Sequence, residues 1–330
     1  MTKPTLDRSR DRSQPVAQLN SNEQLKAQSR YLRGDIANGL EQRSTRAVPG
    51  DDTLLMKFHG IYMQDDRDQR AERQRRKLEP NYQFMVRLRL PGGIASTGQW
   101  LGLDALARRF AERGIRITTR QTIQLHGVRK PQLRACMQAI RDIGLDTIAA
   151  CGDDSRGVIC GFNPASAAVQ RDVASLARET SQLLIPKTGA YREIWYEEKL
   201  PYRDQEEDPT YGETYLPRKF KVGYALPPTN DIDVYGQDVG FIAISDGDKL
   251  LGFNVAVGGG MGQLDTRDDS YPRLAEVIGY VEAQQAPALA LAIMSIQRDY
   301  GDRVDRHRAR FKYTLDTMGM PAFNRLLEAR

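Results

Sequence analysis

The densest run of side chains able to do chemistry lies at 114–127, G-I-R-I-T-T-R-Q-T-I-Q-L-H-G. Read as one extended strand, it carries Ile115, Ile117, Ile123 and Leu125 on odd positions and Arg116, Thr118, Arg120, Thr122, Gln124 and His126 on even ones. Alternation puts the two sets on opposite faces, one apolar and one made of donors and groups that change protonation. A strand from 115 to 126 is long by ordinary standards, which allows a kink near Thr119. Arg116 and Arg120, at about 3.3 Å per residue, stand roughly 13 Å apart. That spacing suits a ligand with carboxylates spread around it better than a single small anion. The plain alternative is a half-exposed strand with a solvated polar face.

A second constellation is P-R-K-F-K at 217–221, where Lys219 and Lys221 share one face of an extended segment. Alone it reads as a solvated basic edge. Taken with Arg87, Arg116, Arg120 and Arg156 it describes one convergent cationic cavity. Two ammonium groups aimed at one cavity repel each other, which lowers at least one of their pKa values. G-G-G-M-G at 258–262 follows a strand but lacks both the G-x-G-x-x-G spacing and a P-loop lysine, so it argues against nucleotide binding while leaving room for a close backbone approach to a ligand. His59, His126 and His307 have no metal-ligand spacing with one another or with the cysteines, and no metal-ligating residues are assigned. Cys136, Cys151 and Cys160 are too few for the four thiolates of an iron–sulfur cluster.

Composition sets the frame for these groups. The 330 residues are 40% hydrophobic and 28% charged with a formal net charge of +5, enough chain for two domains with their own cores. The positive charge is not gathered into one long run, and the balance permits nucleic acid, an acidic ligand or an acidic protein partner alike, so charge alone does not decide. Three cysteines do not make a disulfide framework, the N-terminus has no apolar signal segment, and no stretch is long and apolar enough for a membrane span. The expectation is a cytoplasmic protein.

The elements that must position the cations can be read in order. Residues 1–22 are polar and extended or disordered, and 23–80 form a charged arm with apolar anchors in M-K-F-H-G-I-Y at 56–62 and a sign-alternating surface helix over 65–77. In 83–90, Phe84, Val86, Leu88 and Leu90 alternate with Arg87 and Arg89, ended by Pro91-Gly92-Gly93. Trp100, Leu103, Leu106, Ala107 and Phe110 predict a helix, as do Leu133, Cys136, Met137, Ile140 and Ile143. Val173, Leu176, Ala177 and Leu184 mark another, and Asp246-Gly247 between two apolar runs marks a hairpin. In its second strand Leu251, Phe253, Val255 and Val257 share a face, while Gly252, Asn254 and Ala256 leave the other flat enough for a planar ligand. Leu289, Ile293, Ile296 and Tyr300 form a last helical stripe. The fold class is α+β: an extended arm over 1–80, a ferredoxin-like α/β sandwich unit over 81–160, and a second mixed-sheet α+β domain over 161–330.

Several blocks in order carry a resemblance: Y-L-R-G at 31, F-H-G-I-Y-M-Q-D-D-R-D at 58, R-L-R-L-P-G-G at 87, the 115–127 run, T-Y-L-P-R-K-F-K at 214, L-G-F-N-V-A-V-G-G-G at 251 and Q-R-D-Y-G-D-R at 297. Together they resemble the haemoprotein subunits of the siroheme and iron–sulfur sulfite/nitrite reductase family. The resemblance implies six-electron reduction of sulfite to sulfide in sulfate assimilation and cysteine biosynthesis, at siroheme coupled to a 4Fe–4S cluster. It also implies a flavoprotein subunit bringing electrons from NADPH, with ferredoxin as the other donor. Siroheme carries eight carboxylates, and by resemblance Arg116, Arg120, Gln124, His126 and Asn254 face it, while Arg87, Arg156, Lys219 and Lys221 surround the anion, hold sulfite and relay protons. Related nitrite reductases usually carry Asn where this chain has Lys221, which favours sulfite.

One departure is large. The family's C-x5-C and C-x3-C cluster motifs have no counterpart in this sequence, which corresponds to the family's N-terminal half. The chain alone is therefore expected to be inactive as an oxidoreductase. The rival readings are a non-catalytic anion- or partner-binding remnant and a siroheme nitrite reductase.

Overall fold

The computed structural model describes residues 15–112, 114–200 and 207–330. Most of the expected extended segment over 1–22 lies outside the described residues. Two sheets organise the rest. The first contains β1 (Ile61–Asp65), β2 (Tyr82–Arg87), β3 (Ile115–Ile117) and β4 (Ile123–Val128), antiparallel throughout in the order β1-β2-β4-β3. Phe84, Val86, Ile123 and Leu125 are buried beneath the helices Thr97–Phe110 and Leu133–Asp142, whose Leu103, Leu106, Phe110, Cys136, Met137 and Ile140 complete the same core. The helix Gly50–Phe58 adds Leu55, Met56 and Phe58 to it, and Ile61 on β1 is fully buried. The segment read as an arm thus supplies an edge strand and part of the core, because Met56, Phe58 and Ile61 bring their apolar surface inside.

The expected single strand over 115–126 is instead a hairpin. Thr118 N donates to Thr122 O (2.9 Å) and Gln121 takes a left-handed φ of 50°, turning the chain back so that Ile115 pairs with Leu125 and Ile117 with Ile123. The Thr118 hydroxyl accepts from Arg120 N (3.2 Å) and Thr122 N (3.4 Å), so a side chain satisfies the backbone of the turn. Directly paired residues share a face, so the separation of apolar and polar sides survives. Ile117, however, lies exposed on the edge strand, and Trp100, assigned to the buried stripe of its helix, is half-exposed in the first turn.

The second sheet contains β5 (Ile159–Cys160), β6 (Val222–Ala225), β7 (Val239–Asp246), β8 (Lys249–Val257) and β9 (Glu276–Glu282) in sequential order. The first three strands run parallel and the last three antiparallel, with the expected tight turn pairing Asp246 with Lys249. Tyr224, Phe241 and Phe253 from adjacent strands pack their rings at 4.6–5.7 Å, and the helices Ala167–Leu183 and Ala286–Tyr300 contribute to the same core. Phe253, Val255 and Val257 are buried as read, but Leu251 is partly exposed beyond a register shift at Ile244/Ser245. The flat face at Gly252 is closed by β9: a side chain there would meet the Val281 carbonyl at 2.2 Å and the Tyr280 hydroxyl at 2.5 Å.

Beneath the first sheet, His59 is buried and its Nδ1 accepts from Trp195 Nε1 at 2.7 Å. Burial, chiefly, lowers its pKa from 6.5 to about 4. Between those values the unfolded chain binds a proton that the folded chain refuses, so this contribution is complete above pH 6.5 and is lost as pH falls toward 4. The expected loss is roughly 3 kcal/mol. Urea titrations of the wild type and His59→Asn at pH 7 and pH 4.5 should show the difference in stability shrinking in acid.

Candidate functional site: a cationic cavity between the sheets

The two sheets meet where 146–160 runs past the ends of β2 and β6. Arg89 N donates to Asp146 O (2.8 Å) and Gly92 N to Val158 O (2.9 Å). On the other side Leu216 N donates to Asp153 O, Phe220 N to Asp154 O and Arg156 N to Phe220 O, at 2.8–3.0 Å. These rungs place Arg87, Arg120, Arg156, Lys219 and Lys221 around one cavity of about 760 Å³, with Tyr62, Thr118, Thr119, Thr122, Gln237 and Met261 among its other lining residues. Asp231 and Asp233 are the carboxylates on its wall. The expected convergence of distant cations holds in space for these five.

Each is held differently. Arg87 ends β2 opposite Gln124, and lies 5.7 Å from the Tyr62 ring centroid. With its amide oxygen toward Arg87, Gln124 accepts from Nη2 (2.6 Å) and Nε (3.0 Å), and its nitrogen donates to His126 Nε2 (2.8 Å). That arrangement leaves His126 Nε2 an acceptor. Arg120 projects from the hairpin turn and donates to Gln237 Oε1 (3.0 Å) and Gly157 O (2.7 Å), while its buried Nε has no partner. Burial first, then Arg156, lowers its pKa to about 10. Arg156 Nε donates to Gly152 O (3.0 Å).

Lys219 and Lys221 are half-buried, and both ammonium groups fall to about 8. Burial is the main cause in each. Arg156, Arg218 and Arg310 follow at Lys219, with Lys221 behind them; Arg310 is the leading cation at Lys221, where Asp238 pulls the other way. The sequence reading had the direction but gave mutual repulsion as the cause. The larger effect is desolvation in a wall crowded with guanidinium groups.

Arg116 is exposed on β3 across from Gln124, and does not line the cavity. Its expected place 13 Å along the same strand from Arg120 is lost with the hairpin. Asn254 lies in the second sheet between Ile242 and Tyr280, also away from the cavity lining. The loop at 258–262 is tied down by its own chain: Gly259 lies where a side chain would strike the Tyr235 carbonyl, and Lys312 Nζ donates to the carbonyls of Gly260 (3.1 Å) and Gly262 (2.8 Å). The close approach anticipated there is of backbone to backbone.

Sequence reasoning missed Gln237, which orients Arg120, and Asp238, which is buried, accepts from Lys221 N (2.9 Å) and pairs with Arg310 (3.1 Å). Nothing in Y-G-Q-D-V marks them; they matter only through partners more than seventy residues away or across a strand. Cys151 was also undervalued. Its Sγ accepts from Arg87 Nη1 at 2.6 Å, and burial raises its thiol pKa. Cys136 is pure core, its thiol pushed up to about 12 by burial. Cys136→Ala should therefore cost roughly 1–3 kcal/mol in a denaturant titration without touching anion binding. Cys151→Ser, which keeps an acceptor for Arg87, should leave anion affinity within about threefold, and Cys151→Leu should not.

The nitrite and sulphite reductase 4Fe-4S domain matches residues 177–330, and the nitrite/sulfite reductase ferredoxin-like half domain matches 75–143. The chain belongs to the nitrite and sulphite reductase family. A relative from Nitrobacter winogradskyi named sulfite reductase (NADPH) hemoprotein beta-component is 57% identical over 314 residues, covering 95% of this chain and 54% of that protein. One of the same name from Nitrosomonas europaea is 52% identical over 330 residues, 100% of this chain and 58% of its own length. The chain thus spans a little over half the length of these relatives. Among solved structures, the Mycobacterium tuberculosis NirA protein aligns with a TM-score of 0.69 at 24% identity, over 99% of this chain and 55% of its own. Dissimilatory sulfite reductase I aligns with a TM-score of 0.54 at 11% identity, covering 93% and 86%. Both show the shared α+β fold. No helix among the described residues is long and apolar enough to cross a membrane.

Proposed function

We propose that this chain forms the anion-binding wall of an assimilatory sulfite reductase haemoprotein, holding part of siroheme and the sulfite reduced on it. The observation that carries the reading is the convergence of Arg87, Arg120, Arg156, Lys219 and Lys221 on one cavity that Arg89 also lines, with the buried Arg120 Nε unpartnered. A cavity so built is costly unless anions fill it. The donor set fits an anionic macrocycle: Arg120, oriented by Gln237, would hold a carboxylate at one side, while Gln124 orients Arg87 from outside the cavity lining. When bound, siroheme would supply the redox-active iron that passes electrons to sulfur. The 4Fe–4S cluster is a different matter. Cys136, Cys151 and Cys160 sit on separate elements, and no group of three or more His, Cys, Asp or Glu able to hold a metal occurs among the described residues. These residues do not fit a four-thiolate site, and nothing is assigned to them in cluster binding.

The overall reduction takes bisulfite, six electrons and six protons to hydrosulfide and three waters. Each departing oxygen must be protonated and its charge held meanwhile. Arg87 and Arg156, which stay cationic, bind and orient the oxygens; Lys219 and Lys221, near their titration points at neutral to mildly alkaline pH, both hold charge and give up protons. NADPH as the electron source fits the relatives' names, and a flavoprotein subunit is the carrier assigned to bring the electrons. Arg116, His126 and Asn254 belong to the proposal only as outlying contacts. The test is titration of the purified chain with siroheme, followed by absorption and iron content, and with sulfite by calorimetry. A chain that binds neither would end the proposal.

A further inference from the structure

We propose that Lys26, on the N-terminal helix Ser21–Gln28, is a positioning residue for the cavity: it clamps together the two chain segments that carry Arg156, Lys219 and Lys221. Lys26 has no exposed side-chain surface. Its Nζ donates to Glu23 Oε1 (2.6 Å) and to the backbone carbonyl of Leu216 (2.7 Å), and lies 3.8 Å from Asp153 Oδ2. Leu216 opens the run that reaches Lys219 and Lys221, and Asp153 opens the run that reaches Arg156. One ammonium group therefore reaches both segments at the root of the cavity, the Leu216 carbonyl lying 190 residues away in sequence.

The clamp has something to oppose. Arg156 is the leading cationic neighbour depressing Lys219 across the two segments, so the charges they carry push the segments apart. Three backbone rungs hold them together, and the Lys26 contacts sit at the rung between Leu216 and Asp153. Asp153 is further fixed by a bidentate pair with Arg306 (2.7 and 3.0 Å), and Glu23 by Arg303. Next to it Asp154 is fully buried, neither carboxylate oxygen has a hydrogen-bond partner, and its closest cation is Arg156 Nε at 3.8 Å. An apolar residue would fill the volume of Lys26 without the expense of a buried charge. What an apolar residue cannot do is join a carbonyl on one segment to a carboxylate on the other.

The inference rests on the proposed function only in assigning sulfite to the cavity, and its first test needs no ligand. Amine acylation of the full chain at pH 8, read by peptide mass spectrometry, reports how each lysine is presented. In Lys26→Met the labelling rates of Lys219 and Lys221 should change by about threefold or more, with exposed Lys249 as the unchanged reference. A core variant of the first sheet, Leu103→Ala, should leave Lys219 and Lys221 at wild-type rates although it lowers the melting temperature. If Lys26→Met does not fold, Glu23→Gln/Lys26→Met, which removes the amine and its charge partner together, is read in the same way. Wild-type labelling in a folded variant overturns the inference. Sulfite affinity should fall about tenfold in Lys26→Met but only about twofold when Lys219→Met is already present; equal losses in both backgrounds overturn it too. Wild-type chain that binds neither siroheme nor sulfite would sink the functional proposal and leave the labelling result to decide this one.

Discussion

Lys219→Met is expected to slow sulfite turnover about 100-fold in a haemoprotein containing this chain, with siroheme content unchanged. The side chain lines the cavity, and its ammonium group sits at about 8 because it is half-buried among Arg156, Arg218 and Arg310. A methionine fills similar space but carries neither charge nor proton. The loss should fall mainly on the chemical step, since Arg87 and Arg156 remain to bind the anion. The sign of the pH effect follows from the lowered pKa. As pH rises through 8 the ammonium becomes amine, so anion binding by the wild type weakens over pH 7–9. That dependence should flatten in Lys219→Met/Lys221→Met. Lys249→Met, at the exposed hairpin end, is the control and should change little. Lys221→Asn should shift preference from sulfite toward nitrite. Wild-type turnover by Lys219→Met at full siroheme content would place the lysine outside the chemistry.

Much of this site was legible because the information was local. Pro-Arg-Lys-Phe-Lys alternates in an extended segment, so Lys219 and Lys221 share a face whatever surrounds them. Arg87 follows from the alternation that buries Phe84 and Val86. The error at 115–126 has a physical origin: pairing in a hairpin preserves the same odd–even partition as one straight strand, so periodicity alone could not separate them. Thr118, Thr119, Arg120 and Gln121 were the available turn signal, and none is Gly or Pro. Lys26, Gln237 and Asp238 were out of reach for another reason. Their roles lie in partners set by tertiary packing, and a lone lysine on a polar helix reads as solvated until the structure shows it buried. The helix stripe led by Trp100 failed at its first turn, where Trp100 is half-exposed while Leu103, Leu106, Ala107 and Phe110 are buried.

Polycarboxylate anions should stabilise the ligand-free chain by about 3 kcal/mol at a hundredfold excess over their dissociation constant. The argument begins with what the cavity costs when empty of anions. Burial first, and then neighbouring guanidinium groups, lower the pKa values of Arg120, Lys219 and Lys221, and the Arg120 Nε is buried without a partner. Asp231 and Asp233 line the wall, but Asp238 already serves Arg310 and the Lys221 backbone. An unfolded chain solvates all of these cations separately, so an anion that bridges them binds the folded form and raises its melting temperature. A tetracarboxylate should act at lower concentration than sulfate at matched ionic strength, because several carboxylates reach several cations at once while screening is held equal. Arg120→Met/Arg156→Met should abolish the increment. The same variant should itself melt lower in anion-free buffer, because Arg156→Met takes from the buried Asp154 its nearest cation, so the anion increment is read against the variant's own baseline. A functional cavity predicts that the increment from added anion is lost in the variant whatever its baseline melting temperature. Equal anion stabilisation in wild type and double variant would mean that the anions act on surface charge elsewhere.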